Sequence, residues 1–155
     1  MKTYTEDELK YKAEVYCSAS EHCPSEVEAK LKQWGADEDM VEHIMEHLQK
    51  ERYVDTLRFC CAFVRDKYRF AHWGRMRIVK ELRMKRLPAE GISKGLEEID
   101  EKEYAEGLQD LLDRKGRTIS GRNEYERKAK LIRFAVGKGF TPDEVMRYVK
   151  TDEFE

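Results

Sequence analysis

All three prolines of this chain, Pro24, Pro88 and Pro142, stand where a helix is about to begin. A proline is harmless there, because the N–H it lacks would have no intrahelical acceptor. The other punctuation marks helix ends too. Thr5 with Glu8, and Thr141 with Glu144, form S/T-x-x-E capping boxes. Asp37, Asp55 and Asp100 are good N-caps, Gly74 opens a further segment, Gly35 closes one, and another ends near Gly139. No stretch alternates with period two for long enough to argue a strand. The pattern predicts an all-α chain of nine helices, with Thr118 to Arg122 as its clearest loop.

The segments repeat. With a shift of about fifty residues, Val27 falls on Ile78 and Leu131, and Leu31 falls on Leu82 and Ala135. Ala36, Leu87 and Phe140 coincide at a turn, then Val41, Ile92 and Val145, then Met45, Leu96 and Val149. The second and third helices of each unit therefore share a buried register, while the register of the first helices stays open. The expected organisation is three three-helix repeats, residues 1–54, 55–99 and 100–155. Each is small for a stable core of its own, so neighbours should stack into an elongated, curved array with a long binding face. Charged residues make up 40% of the 155, against about a quarter in an average globular protein, which suits a thin body with much solvated surface.

Net charge is only −2, but its distribution is uneven. Arg65, Lys67, Arg69, Arg75, Arg77, Lys80, Arg83, Lys85 and Arg86 are opposed within their own stretch by Asp66 and Glu81 alone. A second basic run extends from Arg114 to Arg133, and acids gather at Asp37 to Glu51, at Glu97 to Glu106 and in the C-terminal tail. A charge run is usually a solvated helix face. The imbalance here, with Tyr68, Phe70 and Trp73 interleaved, makes partner or nucleic-acid contact an equal expectation for Arg65, Lys67, Arg69, Trp73, Arg75, Arg77, Lys80, Arg83, Lys85 and Arg86. Trp73 also suits a plug between two helices.

Tyr53, Asp55, Arg58 and Phe59, followed by Gly74, Arg77, Ile78, Glu81 and Leu82 and then by Leu87, resemble the central signature of the RecX family: Y-x-D-D-x-x-F, then G-x-x-R-I-x-x-E-L. Gly139-Phe140 resembles the closing G-F turn of that family's third repeat. Thr56 replaces the usual second Asp, which leaves less charge at the helix dipole. Arg86 stands at the turn position held by Gly35 and Gly139 in the other units, and the middle turn is expected to lack the glycine geometry. The resemblance implies a regulator that binds the RecA recombinase, lodges in the groove of the RecA–DNA filament and mostly restrains its ATPase, strand exchange and the DNA repair (SOS) response. Contact with DNA would be direct or through the filament. The resemblance implies no enzyme activity, catalytic residue, cofactor or metal.

The signature residues themselves read as structural: Phe59, Ile78, Leu82 and Leu87 as core, and Asp55 as a helix cap. Glu81 suits an ion pair with Arg77 one turn earlier, or a basic residue of a partner. His43-Ile44-Met45-Glu46-His47 matches the H-x-x-E-H pattern of inverted zinc peptidases, but Val41, Ile44, Met45 and Leu48 form the apolar stripe and leave both histidines off it. Gly137-Lys138-Gly139 lacks phosphate-loop spacing, and His22 beside Cys23 is no metal motif. Cys17, Cys23, Cys60 and Cys61 show no CxxC spacing, no apolar leader is evident, and no run approaches a membrane span. The expectation is a cytoplasmic protein with reduced thiols, monomeric by default. The rival reading is a stand-alone helix-turn-helix-like DNA-binding regulator, against which the near-neutral charge counts.

Overall fold

The computed structural model describes residues 3–149, which contain nine helices and no strand. They are α1 (Glu6–Ala19), α2 (Pro24–Gln33), α3 (Glu38–Lys50), α4 (Thr56–Arg69), α5 (Arg75–Met84), α6 (Ala89–Leu96), α7 (Glu101–Gly116), α8 (Glu124–Gly137) and α9 (Pro142–Met146). Both Thr capping boxes form, and the Asp37, Asp55 and Asp100 carboxylates each accept the backbone N–H three residues on. Pro24 and Pro142 sit in first turns, and Pro88 is the N-cap of α6.

The second helices pack as the repeat predicts: Val27, Ile78 and Leu131 are buried, as are Leu31, Leu82 and Ala135. At the next aligned positions Val41, Ile92, Val145, Met45 and Val149 are buried, while Leu96 is only half-buried. The first helices share a register as well, each burying one stripe spaced by four residues. It runs through Leu9, Ala13 and Cys17 in α1, Cys60, Val64 and Tyr68 in α4, and Tyr104, Leu108 and Leu112 in α7. From the end of this stripe to the first aligned position of the next helix is ten residues in the first two units (Cys17 to Val27, Tyr68 to Ile78) and nineteen in the third (Leu112 to Leu131). In the third unit α7 runs on past its stripe, the loop is slightly longer and α8 starts earlier.

The turn between second and third helices recurs three times. Ala36 N–H donates to Leu31, Leu87 N–H to Leu82, and Phe140 N–H to Ala135, each closing a six-residue helix stop. The residue before each donor is left-handed: Gly35 at φ 98°, Arg86 at φ 65° and Gly139 at φ 107°. The expectation that Arg86 escapes this geometry is thus overturned. Leu87 must return to the core and the Leu82 carbonyl must be satisfied, and these demands outweigh a left-handed penalty of about 1 kcal/mol.

Two apolar cores result. One belongs to α1–α3, from Leu9 to Val54; the other runs without a break through α4–α9. Helix α4 is the hub of the second, packing on α5, α6 and α7. Its approach to α6 is close because α6 shows it glycine: a Cβ on Gly95 would stand 3.0 Å from the Cys60 carbonyl oxygen. Cys23, the N-cap of α2, is fully buried in the second core and so pegs the first unit to its neighbour. The solvent-accessible surface is 10174 Å². A compact 18.4 kDa monomer would expose roughly 8,200 Å², and the excess is what an elongated array of stacked repeats requires.

Candidate functional site: a basic groove along α5

Helix α5 has no side-chain N-cap, because Gly74 cannot supply one. Its first N–H groups are satisfied from the third unit instead. Gly74 N–H donates to the Lys138 carbonyl (2.8 Å), Arg75 N–H to the Tyr104 hydroxyl (3.0 Å) and Met76 N–H to the Gly139 carbonyl (3.1 Å). The Arg75 guanidinium covers the Tyr104 ring at 4.2 Å and bridges Glu101 and Glu144. Burial pushes the Tyr104 hydroxyl up to about 12, so it stays a neutral acceptor of the Arg75 N–H with its own proton in place. These contacts hold α5 beside the end of α8.

Between the two helices lies a groove of about 900 Å³. Met76, Val79, Lys80, Arg83 and Met84 form one wall, Val136, Gly137 and Gly139 the other. Ile78 and Leu82 face the core, so α5 divides cleanly between a buried face and a groove face.

The basic run is distributed very unevenly over this surface. Arg65 pairs with Glu98 at 3.1 Å, Arg69 with Glu103 at 3.0 Å, and Lys85 with Glu26 at 3.1 Å. The Trp73 ring lies under Arg77, 4.0 Å from its centroid, and under Lys67 at 4.7 Å, while its edge meets Phe63. Trp73 is half-buried against the second core, with two cations spent on its ring. Three cations are left over. Lys80, Arg83 and Arg86 are exposed, and none has a carboxylate within ion-pair distance among the described residues. Sequence reading counted nine basic residues on this stretch and overlooked that Glu98, Glu101 and Glu103 fold back across it. It also missed Tyr104 and the groove methionines. Met76 and Met84, eight residues apart and off the apolar stripe of α5, were the available signal.

Phe59, Ile78, Leu82 and Leu87 are buried, and Asp55 caps α4. Tyr53 packs against the first core, and its carbonyl accepts from Arg58, which also grips Glu21. Glu81 lines the groove and does not pair with Arg77, whose guanidinium is on Trp73. His43 and His47 bind Glu6 and Glu14 across the α1–α3 seam, at 3.0 Å and 2.7 Å. Among the described residues no cluster of three His, Cys, Asp or Glu side chains is placed to hold a metal ion. No described helix is long and apolar enough to cross a membrane.

Fold and groove together define a tandem array of three-helix units with a cationic cleft where the second unit meets the third. The model of the second three-helix domain of RecX matches residues 57–96, and that of its third three-helix domain matches residues 101–149. Among relatives, the regulatory protein RecX of Prosthecochloris aestuarii is 31% identical over 125 residues, spanning 81% of this chain and 80% of that protein. That of Geobacillus kaustophilus is 34% identical over 137 residues, spanning 86% of this chain but 48% of that longer protein. A crystal structure of RecX from Lactobacillus salivarius superposes with a TM-score of 0.80 at 19% identity, over 93% of this chain and 94% of the other. The chain belongs to the RecX family of regulatory proteins.

Proposed function

We propose that this chain regulates the RecA recombinase in the cytoplasm, binding its nucleoprotein filament as a monomer and mostly lowering ATP hydrolysis and strand exchange. In this reading it acts as three units, residues 1–54, 55–99 and 100–155, lying along the filament, and thereby restrains the DNA repair (SOS) response. Membership of the RecX family supports it, and so does an elongated helical body. The observation that carries it is the trio Lys80, Arg83 and Arg86. None of these exposed cations has a carboxylate within ion-pair distance among the described residues, and Lys80 and Arg83 line the groove, so they are available to a negatively charged partner. Inhibition on this basis requires tighter binding to one filament state than to the other.

The test is single-stranded-DNA-dependent ATP hydrolysis by the recombinase, titrated with this protein at near-physiological salt. The expected result is a fall at less than one protein per recombinase, and a shift of the titration by about tenfold for R83E/R86E. Unchanged hydrolysis, at concentrations that do not sequester the DNA, would overturn the filament reading. A specific duplex footprint without recombinase would then identify a stand-alone DNA-binding regulator.

A further inference from the structure

The groove along α5 carries more than charge. Met76, Lys80 and Met84 recur every four residues and form a single line on the helix, with Arg83 beside it. The two methionines are 63% and 67% exposed, and they bracket Lys80 across about 12 Å of helix. The facing wall is apolar and low: Val136 is 39% exposed, and a Cβ built on Gly137 would meet nothing within 4 Å. A strip that binds only phosphates has no use for two exposed methionines and a valine, which remain in contact with water when a phosphate backbone docks. Methionine is instead the residue that moulds itself to an apolar side chain of a partner.

We propose that this groove takes an acidic amphipathic polypeptide segment of the partner, and that the protein grips the filament there through the recombinase and not through DNA. The inference rests on the filament reading and deepens it. Two apolar side chains of the segment, about 12 Å apart as on two turns of a helix, rest on Met76 and Met84. Carboxylates between them meet Lys80 and Arg83. Gly137 leaves room for the segment's backbone. Glu81, the single acid in the lining, repels a segment whose acids fall out of register.

The probe is a fluorescein-labelled helical peptide with two leucines two turns apart and glutamates between them, compared with labelled oligothymidylate and with the recombinase filament. The intact protein should bind peptide and filament. M76S/M84S should weaken both by about tenfold or more and leave oligothymidylate binding unchanged, because only the apolar contact is lost. Replacing the peptide's glutamates with glutamine should weaken it similarly. All four groove side chains face solvent, so helical content and Tm serve as controls for both M76S/M84S and K80E/R83E. Wild-type behaviour of M76S/M84S on peptide and filament, with steep salt-dependent loss for K80E/R83E, would hand the groove to phosphates and overturn the proposal. Failure of the intact protein to bind the peptide also overturns it, even where recombinase ATPase falls. Peptide binding that depends on Met76 and Met84, with ATPase untouched, sinks the filament reading and keeps the groove chemistry.

Discussion

The Lys85 ammonium lies 3.1 Å from the Glu26 carboxylate, so a single ion pair joins the C-terminal cap of α5 to the first turn of α2. The same carboxylate accepts the Cys23 N–H at 3.0 Å, and the Ser25 hydroxyl donates to the Lys85 carbonyl at 2.7 Å. The first unit is thus latched to the second by a helix cap that does two jobs.

This latch should be acid-sensitive. Burial alone would raise the Glu26 carboxyl, but the Cys23 N–H and the Lys85 ammonium together hold it below the usual carboxylate range. A depressed pKa means stability that is present above the ordinary glutamate value of 4.5 and lost as pH falls through the folded value. E26Q should cost about 1 kcal/mol at neutral pH and flatten the acid limb of the stability curve. Urea denaturation at pH 7 and at pH 3 measures both; equal losses at the two pH values would refute it.

His43 behaves in the opposite sense. Its hydrogen bond to Glu6 raises its pKa above the ordinary 6.5, aided by the charges of Glu6, Asp39 and Glu42. Its contribution is therefore complete below pH 6.5 and disappears as pH rises through the folded value. An NMR titration should show the His43 ring titrating above the ordinary value, and E6Q should bring it back down.

Gly74 sits against the Gly139 carbonyl so tightly that a methyl group would run into backbone, and nothing flexible can yield. G74A should cost about 3 kcal/mol and lower the thermal midpoint on the order of 10 °C. Circular dichroism melting checks it; a shift below 2 °C, taken as roughly half a kcal/mol, would mean that the crossing relaxes freely.

Arg86 separates stability from function. R86G relieves the left-handed strain at φ 65° and should stabilise the protein by about 1 kcal/mol. It also deletes one of the three unspent cations, so filament binding should weaken while the melting temperature rises. A variant that is more stable and binds as tightly would remove Arg86 from the interface.

Local signals account for most of the fold, because caps and helix stops act within four residues and leave a direct trace in the chain. Thr5, Asp55 and Thr141 are cases where the residue type alone decides the structure. Arg86 shows where local reading fails: tertiary demand at Leu82 and Leu87 overrides its preference. Gly74 shows it again, since its helix is capped by Tyr104 and by carbonyls far along the sequence. The candidate site was least legible. Charge counting within one stretch cannot reveal that Glu98, Glu101 and Glu103 return to neutralise it, and only three-dimensional pairing separates the spent cations from the free ones.

The division of the apolar interior has a mechanical consequence. Between α4–α9 the core is continuous, so a load on the third unit passes stiffly into the second. Between the first unit and the rest, oil gives way to a few polar bonds around the peg of Cys23. Compliance is concentrated at that one plane. That joint meets the groove at α5, whose C-terminal cap Lys85 is held by Glu26 while Arg83 and Met84 line the cleft, so a tilt of the first repeat bears directly on the groove wall.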